Sequence, residues 1–144
     1  ANIFRAEFNI PDDKETFYKN YESLVLQEIE GVDIMIRHWN ERYPLYALSN
    51  NNPLLWKGIQ RSCTILDCFS DVFLSHETGL LKPEPKAFES ALDAIGCRPE
   101  EAIFVDDNPE CISAARQLGI WSVPFNETVT VTQKIGNIIK EQLA

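Results

Sequence analysis

The segment Ala102-Ile103-Phe104-Val105-Asp106-Asp107-Asn108-Pro109 constrains this chain more than any other. Apolar residues at consecutive positions need cover on both faces, which is the pattern of an interior strand in a parallel sheet. The run ends in two carboxylates, then Asn-Pro, then a helical pattern from Glu110 to Leu118. Residues at that place face the crevice beyond the carboxyl end of the strand. The segment holds no Lys or Arg to offset the two adjacent charges, so a cation beside them is expected. A hard cation such as Mg²⁺, held by few carboxylates plus a phosphate, fits that donor set. The plainer alternative is that Asp107 or Asn108 N-caps the helix. Both readings stand on this segment alone.

The remaining pattern alternates strands with helices. A helix is expected from Pro11, with Asp12 as cap, Glu15 completing a capping box and Phe17, Tyr21, Leu24 and Ile29 near one face. The ten residues before it are ambiguous between a short helix and an irregular strand. Gly31 breaks the helix, and a second is expected over Val32–Arg42. The apolar run Pro44–Leu48 ends in Ser49 and three asparagines, a strand followed by a polar turn. A helix follows from Pro53 towards Leu66, then a short strand over Asp71–Ser75 and a loop over His76–Pro85. Further helices are expected over Pro83–Ile95 and Val129–Leu143, with a last strand over Ile120–Phe125. Such alternation specifies an α/β fold with a parallel sheet between helical layers.

At 144 residues the chain suits one domain able to bury a core without staples. A net charge of −9 argues against nucleic acid as partner, since phosphate backbones reward positive surface. One Lys and a metal ion can still invert the field locally for a small phosphorylated substrate. The four cysteines, Cys63, Cys68, Cys97 and Cys111, lack metal-site spacing and read as reduced thiols of a cytoplasmic protein. No apolar run reaches membrane-spanning length, so no membrane partner is expected. Trp39, Trp56 and Trp121 sit in apolar patterns and are assigned to the core rather than to a ligand.

Three element ends supply Ser49-Asn50, Lys82 and Asp106-Asp107, all assigned to one edge of the sheet. A hydroxyl with the following backbone N–H, an ammonium and a carboxylate pair are what a Mg²⁺-assisted phosphoryl site requires. Lys82 precedes Pro83, so its backbone is held extended. Its Nζ is expected within ~4 Å of a carboxylate or of the phosphate position, where unit charges attract by about 4 kcal/mol at an effective dielectric of about 20.

This ordered set resembles the haloacid dehalogenase superfamily, in its phosphatase-like branch with a helical cap. The resemblance rests on Leu45–Asn50, on Lys82-Pro83-Glu84-Pro85 with Phe88, and on Phe104–Asn108 followed by Ala114-Ala115 and Leu118-Gly119-Ile120. It is close over Pro44–Phe125 and looks like the branch of sugar-phosphate phosphatases and of the phosphatase domain of soluble epoxide hydrolases. It implies a Rossmann-like three-layer core over residues 43–144, with residues 1–42 the remnant of a helical cap and its return helix. It also implies a Mg²⁺-dependent hydrolase acting through an aspartyl-phosphate. Ser49 and Asn50 would orient the phosphate, Lys82 would neutralise it, and Asp107 would ligate the metal with Asp106 as a further ligand or orienter.

The chain departs from that pattern at one place: it contains no Asp-x-Asp. In the family this motif closes the central strand, between those ending at Ser49 and Asp106, and supplies the nucleophile. A chain without that strand leaves two rows of backbone donors and acceptors unpaired. The start without Met therefore reads as a fragment or processed product, with a separate N-terminal segment completing the sheet; pairing by Asn2–Asn9 is the less favoured reading. An open sheet also favours association with another copy. The alternative function is a catalytically inactive binding or interaction module that keeps the fold.

Overall fold

The structure, a computed structural model, describes residues 15–16 and 29–143. Glu15 and Thr16 are helical. The other expectations for residues 1–28, including the Asp12 cap and the pairing of Asn2–Asn9, lie outside the described residues. In chain order the elements are α1 (Val32–Asn40), β1 (Leu45–Ser49), α2 (Pro53–Ser62), β2 (Phe69–Leu74), α3 (Ser75–Thr78), α4 (Pro85–Ile95), β3 (Ile103–Asp106), α5 (Pro109–Gln117), β4 (Trp121–Pro124) and α6 (Thr128–Leu143). Short 3₁₀ turns, Leu66–Cys68 and Pro99–Glu101, lead into β2 and β3.

The architecture is α/β with three layers, and β3 shows why. Its side chains alternate between faces, as the period of a strand requires. Phe104 packs against Phe88 and Leu92 of α4 and Cys111 and Ala115 of α5. Ile103 and Val105 face the other way, into Met35 of α1, Val123 of β4 and Val131 and Ile135 of α6. The half-buried side chains of β3 thus seal fully buried ones such as Phe88 and Val123, each of which contributes about 1.5–3 kcal/mol relative to exposure. Because Met35 belongs to that second cluster, α1 is packed as part of the core rather than standing off it. The cap expected before it falls on residues the structure does not describe.

Both strand pairings are parallel. β1 pairs with β2, Ser49 opposite Leu74, with a register irregularity between Leu45 and Tyr46. β3 pairs with β4, Asp106 opposite Pro124. Among the described residues these form two separate two-stranded ladders rather than one continuous sheet. Leu48 of β1 nevertheless packs on the cluster that Phe104 joins, so the two ladders share an apolar layer.

Several element ends differ from the sequence reading. Helix α2 stops at Ser62, because Cys63 turns extended (φ −82°, ψ 121°) and the Thr64 carbonyl is drawn to the Arg37 guanidinium at 2.9 Å. Strand β2 ends at Leu74, and the expected loop instead opens with the short helix α3, which closes at Gly79 in the left-handed conformation (φ 72°) that glycine adopts without penalty. Helix α4 starts at Pro85 rather than Pro83, after a cis Lys82–Pro83 peptide. Trp121 is not core: it is 39% exposed at the start of β4.

Candidate functional site

The carboxyl ends of β1 and β3 approach one another through side chains borne on their loops. The loop leaving β1 carries Asn50, Asn51 and Asn52, and each is engaged with a different element. Asn50 is clamped to the loop before α4: its Oδ1 accepts from the Lys82 N–H at 2.8 Å and its Nδ2 donates to the Lys82 carbonyl at 2.7 Å. The Asn51 N–H donates to Ser75 Oγ at 2.9 Å, and Ser75 Oγ donates back to the Asn51 carbonyl at 3.0 Å. His76 Nδ1 lies 3.2 Å from that same carbonyl. Asn52 caps α2 by accepting from the Leu54 and Leu55 N–H groups.

Lys82 crosses from this loop to β3. Its Nζ donates to Asp106 Oδ2 at 2.6 Å, within the range expected from sequence. The pair is nearly buried, its side chains 12% and 9% exposed. The ammonium also lies 5.3 Å from the centre of the Phe104 ring, a favourable seat for a cation. The other Asp106 oxygen accepts from the Asn108 N–H at 2.8 Å. The cation that the Asp pair calls for is therefore supplied by the protein on the Asp106 side, and Asp107 stands exposed beside it. The capping alternative is realised too, by Asn108: its Oδ1 accepts from the Glu110 N–H at 2.8 Å. Behind the pair, burial pushes the Cys111 thiol above its ordinary pKa, and the Asp106 charge adds to the effect while Lys82 opposes it. Cys111 is thus a protonated, inert neighbour of the site.

Of the residues singled out from sequence, Asn50, Lys82 and Asp106 are joined directly. Ser49 and Asp107 adjoin them as their chain neighbours. The sequence reading did not foresee the side-chain clamp of Asn50 or the latch of Ser75 on Asn51. A serine immediately after an apolar strand was the available signal for Ser75, which is buried. A surface hollow lined by Arg116, Trp121, Ser122 and Ile138 lies at the amino end of β4, away from these groups.

The donor set bears on which metal the site could hold. Among the described residues no three His, Cys, Asp or Glu side chains gather as a cage. Asp107 with Asp106 beside it suits a cation that keeps most of its shell as water and phosphate, which is the habit of Mg²⁺ rather than of zinc. Among the described residues no helix is long and apolar enough to cross a membrane.

The chain resembles known proteins in sequence and in fold. The chain is 34% identical over 111 residues to glyceraldehyde 3-phosphate phosphatase of Pyrococcus furiosus, covering 75% of this chain and 46% of that protein. It is 39% identical over 80 residues to phosphoserine phosphatase of Thermus thermophilus, covering 55% and 32%. The chain thus spans less than half the length of these curated relatives. Its fold superposes with a TM-score of 0.74, at 25% identity, on a HAD-family enzyme of Bacteroides thetaiotaomicron solved with magnesium and inorganic phosphate, covering 85% of this chain and 65% of that one. Residues 4–119 match the profile of the haloacid dehalogenase-like hydrolases. With four-fifths of its length inside that profile and its fold superposing as above, the chain belongs to the haloacid dehalogenase-like hydrolase family.

Proposed function

We propose that this chain forms part of a Mg²⁺-dependent phosphatase that hydrolyses a small phosphorylated metabolite such as a sugar phosphate. The observation that carries the reading is the nearly buried Lys82–Asp106 pair, with Asp107 exposed beside it, at the carboxyl end of a parallel ladder. Lys82 would neutralise the equatorial phosphate oxygens, and the Ser49 hydroxyl with the Asn50 N–H would donate to them. Asp107 would hold the metal, which when bound offsets phosphate charge, while Asp106 holds Lys82 in place. The names of the two relatives above support a phosphate ester as substrate. The nucleophile would be a carboxylate from a strand outside the described residues, since the chain has no Asp-x-Asp. That carboxylate attacks phosphorus as the ester P–O bond breaks and the leaving oxygen takes a proton. Water then cleaves the aspartyl-phosphate, releasing phosphate and regenerating the carboxylate.

Cysteines outside any disulfide, among them the buried Cys68 and Cys111, support a cytoplasmic setting. Among the described residues β1 and β3 each pair with a single strand, which supports association with a further strand or a second copy. The second reading, a binding module without turnover, is favoured by the absence of Asp-x-Asp and by the engagement of both Asp106 oxygens. The test is to assay the purified chain on p-nitrophenyl phosphate with excess Mg²⁺, alone and with a peptide carrying an apolar strand that ends in Asp-x-Asp. Background rates alone and metal-dependent turnover with the peptide are expected, abolished by Asp107→Asn and retained by Cys111→Ala. Turnover by the chain alone would place the nucleophile within it. Background rates in both arms, with phosphate still bound, would favour the binding module.

A further inference from the structure

We infer that Asn50 is a positioning residue that acts through Lys82, its carboxamide setting the backbone from which the ammonium reaches Asp106. The two ends of one planar amide meet the N–H and the C=O of a single residue, at 2.8 and 2.7 Å. This is the bonding of a strand ladder supplied by a side chain, and it fixes the orientation of the Lys82 peptide units on either side of its Cα. Only a group with donor and acceptor on one plane can make it: a carboxylate would set an oxygen against the Lys82 carbonyl, and an aliphatic chain would leave both groups to solvent. The placement matters because a lysine side chain is a flexible four-carbon stem with several rotatable bonds. The stem is held at its ammonium end by Asp106 and the Phe104 ring, and at its other end by where its Cα stands. The same loop is secured a residue later by Ser75, buried and doubly bonded to the Asn51 backbone. The loop is thus tied to the start of α3 on one side and to Lys82 on the other. A side chain spent on Lys82 in this way does not itself reach a phosphate.

The functional consequence rests on the phosphate-site reading above; the clamp does not. Two measurements on the full chain separate them. NMR relaxation of the Lys82 Cε methylene reports how tightly the stem is held. It should be as ordered as the backbone in the native protein, as mobile as exposed Lys86 in Asn50→Ala, and intermediate in the isosteric Asn50→Asp, which keeps only the bond from the Lys82 N–H. Asn50→Asp decides the matter if Asn50→Ala does not fold. Calorimetry with inorganic phosphate and excess Mg²⁺ gives the second readout. Asn50→Ala should weaken binding about tenfold, Lys82→Met at least as much, and the double variant no more than Lys82→Met alone. Losses that multiply in the double variant would show Asn50 acting independently of Lys82, and a Lys82 stem equally ordered in all three proteins would remove the clamp. A native chain that binds no phosphate would sink the phosphate-site reading while the methylene measurement still decides the role of Asn50.

Discussion

Lys82 and Asp106 form a nearly buried ion pair in a protein whose net charge is −9, so most of the surrounding field favours the ammonium and opposes the carboxylate. Attraction at this distance is offset by the cost of taking both groups out of water, and removing one partner is worse than removing both. Lys82→Met should destabilise the fold by about 3 kcal/mol, because Asp106 then keeps only the Asn108 N–H as partner. Asp106→Asn should cost a comparable amount, and the double variant clearly less than the sum, as urea unfolding of the four proteins will show. An unchanged urea midpoint for Lys82→Met would mean that water screens the pair. The types of these two residues made them legible in sequence: an Asp pair after an apolar run and a Lys before Pro are conspicuous. Asn50 was legible as one half of a Ser-Asn pair facing the phosphate, but its bonds to Lys82 were not, since that partner lies 32 residues away and is fixed by topology rather than by local pattern.

Helix starts were more legible than helix ends. Asn52-Pro53 and Asn108-Pro109 both place an acceptor side chain just before a proline whose missing N–H costs nothing in the first turn. Both asparagines cap as that pattern requires, Asn52 on two N–H groups and Asn108 on one. Asn108→Ala should cost about 1 kcal/mol in thermal or urea unfolding. The bond from its backbone N–H to Asp106 survives the change, so the Lys82–Asp106 pair should remain ordered; loss of that pair as well would show that the cap also orients β3's end. The end of α2 and the start of α3 depended instead on distant partners, Arg37 for the Thr64 carbonyl and Asn51 for Ser75, which periodicity does not reveal. The exposure of Trp121 escaped for a related reason. It stands at the start of β4, and an apolar neighbourhood in sequence does not say which strand end is covered.

On the scale of the whole molecule, the three-layer α/β character was legible because strands and helices alternate and β3 is apolar on both faces. The break between ladders was legible only as the lack of one motif. Among the described residues the strands fall in two strand–helix–strand units, β1-α2-β2 and β3-α5-β4, joined by a shared apolar layer and fastened at one rim by Asn50, Lys82 and Asp106. Two-stranded ladders are marginal alone, so each unit leans on its own helices more than on the other ladder. Backbone amide exchange should therefore resolve two opening events with distinct free energies, one for the amides of β1 and β2 and another for those of β3 and β4. Lys82→Met should widen the gap between them, and a single exchange class in both proteins would show one cooperative unit. A rim fastening of this kind is where two bodies expected to open separately would be kept in step, so the same few bonds that aim the ammonium would also decide whether the protein breathes as one piece or as two.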